Sequence, residues 1–469
     1  MASIAVQGRW HGRESPARTT KSVDRPIWPL LVGISSIPIA WILGIGFIWY
    51  HVLAIIWASR NAKAFKTIGL VDVAFYLLVL TLFISLTLSP ARGYGTADRM
   101  FGAANNISLI IVYYLCLKTS RYVSFSGMIT KGVSRRIEKS IRNIFLMMIV
   151  GGIVLSIIWY ALGQHDWSTR TIFGFMVPDL PGIVAEYQDT PLVNTDYFFG
   201  AKVPRVSIFA PFATTAAAML VLLSGIGYLL RAGSESEETK GQVRFGLLSY
   251  IAVFMTIARA SLFAVTVAWI VRYFVGLGRM FGVFAILIAA FGLYYLYESG
   301  VGLFDLLNEA RPGSNAARLG NYDASISLVM SEAPFFGLGV KPRLDVSFIP
   351  LGSHSSWISF LVRGGMIGTT LAALLYIGAM SISVVRIVLG YANGSPKYDL
   401  NAMTGAVLAV GFVAYYSVQD ADAYGVVAFL AGIYTGLLSA VAMRGRVVPP
   451  TEGSIPPDLL GDGSRRKGQ

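Results

Sequence analysis

The chain has 469 residues, 55% of them hydrophobic and only 13% charged, about half the charged fraction of a soluble domain. The apolar residues gather in long runs, such as Val206 to Leu230, which carries no charge over 25 residues. A net charge of +13 would fit a nucleic-acid partner, but the Lys and Arg residues sit in short segments between apolar runs, as in loops held at a membrane face. Composition therefore excludes a soluble fold and argues against nucleic acid, leaving the lipid bilayer as the first partner. The single cysteine, Cys116, lies in an apolar run and excludes both an intramolecular disulfide and a Cys-based zinc site.

Residues 1–27 are polar and basic, with Arg9, Arg13, Arg18, Lys21 and Arg25, and read as a cytoplasmic tail. The apolar run that follows is too long for a signal-peptide core, so no cleavable signal is expected. A span needs about 20 apolar residues, and its backbone must be bonded internally, so each run predicts a helix. Spans are expected near 28–45, 46–59, 68–88, 104–117, 143–162, 206–230, 245–258, 260–275, 280–297, 366–386, 401–419 and 424–442. This makes an all-α integral membrane protein of about twelve transmembrane helices.

The first apolar stretch is divided in two on charge. The tail and the segment Arg60, Lys63, Lys66 both read as cytoplasmic, which requires an even number of crossings between them. With both termini cytoplasmic, inside segments hold 27 of the 38 Lys and Arg residues. The strongest single vote is the loop Lys118 to Arg142, with seven basic residues and one acid. Two long segments, 163–205 and 298–365, then fall outside; the second separates spans nine and ten, with a short interfacial helix expected around Tyr322 to Met330. The organisation is a polytopic domain over 28–443, with site motifs in 311–386, and a tail at 444–469 expected to be cytoplasmic and disordered. No internal repeat is visible, which weighs against a transporter built from duplicated halves.

The chain has no P-loop, no HExxH and no GxSxG elbow. Asp420-Ala-Asp422 matches a three-residue metal-nucleotide pattern, but in a short outside turn it reads as a solvated turn. The informative stretch is Arg318-Leu-Gly-Asn-Tyr322, then Pro334-Phe-Phe-Gly-Leu-Gly339, then His354-Ser-Ser-Trp357, then Gly365-Met-Ile-Gly368. Gly337 and Gly339 permit a tight turn. His354, with an ordinary pKa near 6.5, can accept a proton at neutral pH. Taken alone, one histidine at a membrane interface reads as solvation or capping. An arginine near a membrane is costly, so Arg205 and Arg259 each call for a partner, functional or a simple ion pair. Guanidinium groups bind phosphate bidentately, and Arg311, Arg343 and Arg363 are further candidates or rim residues.

This stretch resembles the O-antigen ligase and polymerase superfamily of bacterial membrane glycosyltransferases. The likeness runs through Arg318, Tyr322, Pro334 with Gly337 and Gly339, His354, and Gly365 with Gly368, in order and over about 50 residues. Arg205, in Arg-Val-Ser-Ile-Phe-Ala-Pro, and Arg259, in Ile-Ala-Arg-Ala, resemble two further family positions. Ser355 stands where relatives carry Asn, and Tyr322 where Trp is commoner. The resemblance implies a GT-C-like enzyme of the inner (cytoplasmic) membrane with its site on the extracytoplasmic face. It implies transfer of a saccharide from a polyprenyl-diphosphate-linked donor to a glycan or lipid-glycan acceptor, inverting and without metal or cofactor. His354, Arg318 and Arg205 would be catalytic, and Arg259, Tyr322, Gly337, Gly339 and Arg343 substrate-binding. A repeat-unit polymerase differs only in acceptor, and a lipid-linked-glycan transporter is the reading from another class.

Overall fold

The computed structural model describes residues 26–177, 182–198, 201–233, 239–277, 314–343, 350–418 and 424–447. The expected span at 280–297, Arg311, the Asp420–Asp422 turn and most of both tails lie outside the described residues. The helices are α1 Trp28–Ser35, α2 Ile37–Leu43, α3 Gly46–Arg60, α4 Leu70–Leu88, α5 Ala97–Phe125, α6 Lys131–Ala161, α7 Ile172–Met176, α8 Ala213–Arg231, α9 Thr239–Phe254 and α10 Arg259–Leu277. After them come α11 Ser314–Glu332, α12 Ser356–Ala373, α13 Ala379–Ala392, α14 Leu400–Val418 and α15 Gly425–Arg444. A π-helical turn at Leu374–Gly378 joins α12 to α13.

Six described stretches are long and apolar enough to cross a membrane: α4, α5, α6, α8, the α12–α13 rod and α15. Shorter apolar stretches lie at Val243–Phe254 and Leu400–Val413. The chain is thus a mostly helical, polytopic membrane protein, with six candidate spans among the described residues where twelve were expected in the whole chain. The first apolar stretch accounts for part of the difference. It breaks at Gly44, whose φ of +75° ends α2. Asn61 Nδ2 then donates to the Pro26 carbonyl at 3.0 Å, and the Arg60 guanidinium lies 5.0 Å from the Trp28 ring. The stretch is a helical hairpin bent near residue 44, with its basic ends together and arms of only about 22–24 Å. Helices α5 and α6 extend well past the apolar runs that announce them, so most of the basic loop is helical. Hydropathy marks only the lipid-buried part of a helix; Lys, Arg and Glu continue it into water, and Thr130 caps α6 by accepting from Val133 N at 3.4 Å.

Helices α8 and α15 are buried almost throughout and form the centre. On α4 the exposed residues Val73, Tyr76, Leu77, Leu80, Phe83, Ile84 and Leu88 make one stripe, while Thr81 and Ser85 are buried. Large aliphatic and aromatic side chains face outward and small polar ones face the bundle, which is the pattern expected where lipid is the solvent. Among the described residues the most extensive helix contact is α5 on α15. A Cβ on Gly436 would strike Ser120 Oγ and the Leu117 carbonyl, and one on Gly432 the Tyr113 carbonyl.

Contacts between helix ends fix which ends lie together. At one end, Lys118 pairs with Asp72 at 2.9 Å and Arg231 with Glu138 at 3.0 Å. There too Arg272 reaches Thr404 Oγ1 at 3.0 Å, and Arg444 the Phe125 carbonyl at 2.7 Å. These join the starts of α4, α6 and α14 to the ends of α5, α8, α10 and α15, as alternating helices require. The opposite end carries the segment between α6 and α8. Contrary to the all-α expectation, it holds an antiparallel sheet of β1 Trp167–Arg170, β2 Asp189–Phe198 and β3 Ala201–Val206, in that order. Pro191 and Pro204 made this segment read as loop; Pro204 lies on the edge strand β3, where a missing N–H is tolerated.

Gly436→Val drives a branched side chain into α5 and is expected to cost about 1–3 kcal/mol, whereas Gly378→Ala, helical and with no atom within 4 Å of its Cβ, should stabilise by about 0.5–1 kcal/mol. Thermal unfolding in detergent compares them, and equal melting temperatures would remove the α5–α15 contact as a stabilising element.

Candidate active site

The residues 334–339 form a turn that fits into a break in a helix. Within α12, Gly365 has φ +63° and ψ −162°, so the helical hydrogen bonding stops there. The turn supplies what the break removes. Met366 N donates to the Pro334 carbonyl at 2.8 Å and Ile367 N to the Phe335 carbonyl at 3.2 Å. In return Leu338 N donates to the Val362 carbonyl at 2.6 Å and Gly339 N to the Arg363 carbonyl at 3.1 Å. Glycine is required because the backbones touch: a Cβ on Gly337 would enter the Gly364–Gly365 backbone, and one on Gly339 the Ser85 carbonyl. Both have positive φ, +68° and +80°. These glycines, expected to bind substrate, are seen holding backbone against backbone.

The loop that carries His354 is held by one face of α11. Asn321 Nδ2 donates to the Pro350 carbonyl at 3.2 Å, Gly352 N to Ser325 Oγ at 2.8 Å, and Tyr322 Oη to the His354 carbonyl at 2.6 Å. Arg318 lies one turn before Tyr322 and so shares that face. The structure therefore puts Tyr322 against the His354 backbone, with Arg318 a helical turn away on the same face, and all three are half-buried. His354 has φ +68°, a conformation that costs a residue with a side chain about 1–3 kcal/mol. Ser355 caps α12 by accepting from Ile358 N at 3.4 Å. Asn is an equally good cap, so the departure at this position leaves the local fold unchanged.

Arg205 is placed by the sheet. It sits opposite Asn194 in the β2–β3 register, so Asp196 is its diagonal neighbour on the same face, and their side chains pair at 3.4 Å. Arg205 Nε also donates to the Thr256 carbonyl at 3.2 Å, and Val206 N to the Met255 carbonyl at 3.3 Å. The sheet is thereby pinned to the corner between α9 and α10, and Arg259 opens α10 three residues beyond Thr256. Ile257, in that corner, has φ +48°, and Phe209, just after β3, has φ +73°. Of the four non-glycine residues with positive φ among those described, one is His354, one lies two residues from Arg259 and one four residues from Arg205.

The other candidates scatter. Arg343 is exposed; Arg363 is half-buried in α12, with Nη1 2.8 Å from Ser359 Oγ and its carbonyl tied to the glycine turn. Sequence reading missed Arg92, whose guanidinium donates to the Gly337 carbonyl, and Ser85, whose hydroxyl donates to the same oxygen at 3.3 Å. It also missed Tyr94, which donates to Glu332 at 2.9 Å. Burial first, and then that carboxylate, raise the Tyr94 hydroxyl above its ordinary value, so it stays a donor. No local pattern marks these residues, since their partners lie more than 200 positions away.

Two glycines should respond to the same substitution with opposite sign. Gly320→Ala, on α11 with nothing near its Cβ, should stabilise by about 0.5–1 kcal/mol. Gly337→Ala should lower the melting temperature and transfer together, and a neutral result there would dissolve the proposed interlock.

No curated protein matches the chain. A family model does: residues 245–373 match O-Antigen ligase, a stretch that contains Arg259, Arg318, Tyr322, the glycine turn, His354 and Gly365, and excludes Arg205. Residues 245–373 are thus similar to the O-antigen ligase family, and this match, over about a quarter of the chain, supports the O-antigen ligase superfamily.

Proposed function

We propose that the protein is a GT-C-like membrane glycosyltransferase that moves a saccharide from a polyprenyl-diphosphate carrier to a hydroxyl of a cell-envelope glycan or lipid-glycan. The observation that supports this best is His354, held in an unfavourable backbone conformation by Tyr322, on the helix face that also bears Arg318. Strain maintained by surrounding bonds is a feature of sites that position a reacting group. The acceptor oxygen attacks the anomeric carbon in line as the carbon–oxygen bond to phosphate breaks, inverting the configuration. Polyprenyl diphosphate leaves with the bonding electrons, and His354 takes or orients the acceptor's proton. Arg205, Arg259 and Arg318 grip the pyrophosphate and stabilise its growing charge. Tyr322 positions the histidine loop, and Arg343, being exposed, meets the outer part of the glycan. A pyrophosphate leaves readily, so neither metal nor cofactor is required.

The charge distribution supports a site on the extracytoplasmic face of the inner membrane with both termini cytoplasmic. The second reading is a repeat-unit polymerase, identical in chemistry but extending a chain of its own kind. A transporter is disfavoured by the absence of an internal repeat.

His354→Ala should abolish transfer while protein level and membrane insertion stay normal; near-normal product from this variant would remove the histidine from the mechanism. The arginines separate charge from geometry. A charge-assisted hydrogen bond contributes about 1.5–3 kcal/mol, so Arg205→Lys and Arg318→Lys should slow donor turnover by roughly tenfold to a hundredfold. Arg343→Lys should have a small effect, since exposed charges contribute little. Equal mild losses at all three would mean a diffuse positive field in place of a bidentate grip.

A further inference from the structure

Helix α7 and its flank, Ile172 to Val177, present an apolar surface beside the sheet. Phe175 and Met176 are 72% and 75% exposed, and Ile172 and Val177 are exposed beside them. A patch of this kind on a water-facing loop needs a cover, and three observations identify it. First, α7 is fastened to the tip of the α2–α3 hairpin. A Cβ on Gly44 would strike Thr171, the N-cap of α7, and the Phe47 and Phe173 rings lie 5.3 Å apart. Ile39, Ile42, Ile48, Val52 and Ile55 on that hairpin are exposed, so the apolar surface of the bundle runs up to α7 without interruption. Second, the outer stripe of α6 (Val150, Ile153, Val154, Ile157, Tyr160) leads through exposed Leu162 to the strand that precedes α7. Third, a guanidinium stands beside the patch: Arg170 is 6.0 Å from the Phe175 ring and partly exposed, with the exposed Asp189 carboxylate a loose 3.8 Å from its Nε.

We propose that α7 is a membrane-interface anchor: it seats Phe175 and Met176 at the headgroup–acyl boundary of the adjoining leaflet, with Arg170 at the level of the lipid phosphates. Apolar side chains buried shallowly with a guanidinium above them fit that boundary. The anchor has a consequence for the proposed transfer reaction, on whose reading this part rests. α7 continues from β1, β1 pairs with β2, and β2 pairs with β3, which carries Arg205. Anchoring α7 therefore fixes the height of Arg205 relative to a diphosphate that lies at the same lipid surface.

The depth is measured directly with a nitroxide on Met176→Cys in phosphatidylethanolamine–phosphatidylglycerol liposomes; Cys116 is buried and remains unlabelled. Labels on Ile157→Cys and Asp189→Cys supply the lipid and water references. The expected result is oxygen access resembling position 157, and access to a water-soluble nickel chelate about fivefold or more below position 189. Nickel access equal to position 189 would overturn the anchor, and so would shielding from both reagents, which indicates a protein cover. In turnover, Phe175→Ser with Met176→Ser should raise KM for a bilayer-embedded polyprenyl-diphosphate donor by about threefold to tenfold with kcat retained. The same pair of substitutions should leave KM for a water-soluble short-chain donor unchanged. An equal rise for both donors would overturn the link to Arg205. Absence of turnover in the unmodified protein, with the depth profile as expected, would refute the transferase reading and leave the anchor standing.

Discussion

A helix inside a membrane protein cannot stop without a replacement for the hydrogen bonds it abandons, and the break at Gly365 is where this constraint acts on the chain. Four backbone bonds between 334–339 and 362–367 meet it. Each buried donor or acceptor left unmet would cost about 1–3 kcal/mol, so turn and break stabilise each other and neither is tolerable alone. The pairing also explains the spacing of the glycines. Gly337 meets Gly364 and Gly365 in space, Gly339 meets α4, and a side chain at either position would push the two backbones apart. The short helical segment 356–364 is thereby fixed in angle relative to the long rod that follows it.

From this interlock the rest of the site follows outward. The segment 356–364 begins at the Ser355 cap, and His354 directly precedes that cap, so the helix break sets where the histidine sits. The α11 helix, which ends just before the turn, reaches back over the loop 350–354 through Asn321, Tyr322 and Ser325. The α4–α5 corner closes the arrangement from the side, with Ser85 and Arg92 on the Gly337 carbonyl and Tyr94 on Glu332. The N-terminal half of the chain thus braces a motif that lies wholly in the C-terminal half. The Arg205 sheet is built differently, by cross-strand neighbours and by its bond to the α9–α10 corner, and brings a second cationic group to the same end of the bundle.

The sequence was legible where local structure is written in local spacing. Arg318 and Tyr322 are a helical turn apart and share a face; the paired glycines announced a turn; an isolated histidine before an apolar helix announced a cap-proximal loop. That the first apolar stretch turns back near residue 45 was legible from the positive charge at both of its ends, which led it to be read as two arms. Three things were hidden. The sheet was masked by Pro191 and Pro204, which signal loops unless it is known that Pro204 lies on the edge strand and that Pro191, on the middle strand, pairs beside a register shift. The true lengths of α5 and α6 were masked because charged residues extend a helix without adding hydropathy. The interlock itself was hidden because Gly365 stood out only as part of a Gly-Met-Ile-Gly motif, and its pairing with Gly337 becomes visible only in space. The acid beside Arg205 falls in the same class, since Asp196 becomes a neighbour only once the β2–β3 register is fixed.

The central claim is that this domain transfers a glycan from a lipid diphosphate, and the products decide it. Purified protein in liposomes is given a polyprenyl-diphosphate oligosaccharide with an envelope-glycan acceptor, and the lipid and glycan products are followed together. The account predicts free polyprenyl diphosphate released in equal amount to glycan joined to the acceptor, with the anomeric configuration inverted. A donor that crosses the bilayer intact, with no diphosphate released and no acceptor modified, would contradict it and make the protein a carrier of lipid-linked glycans.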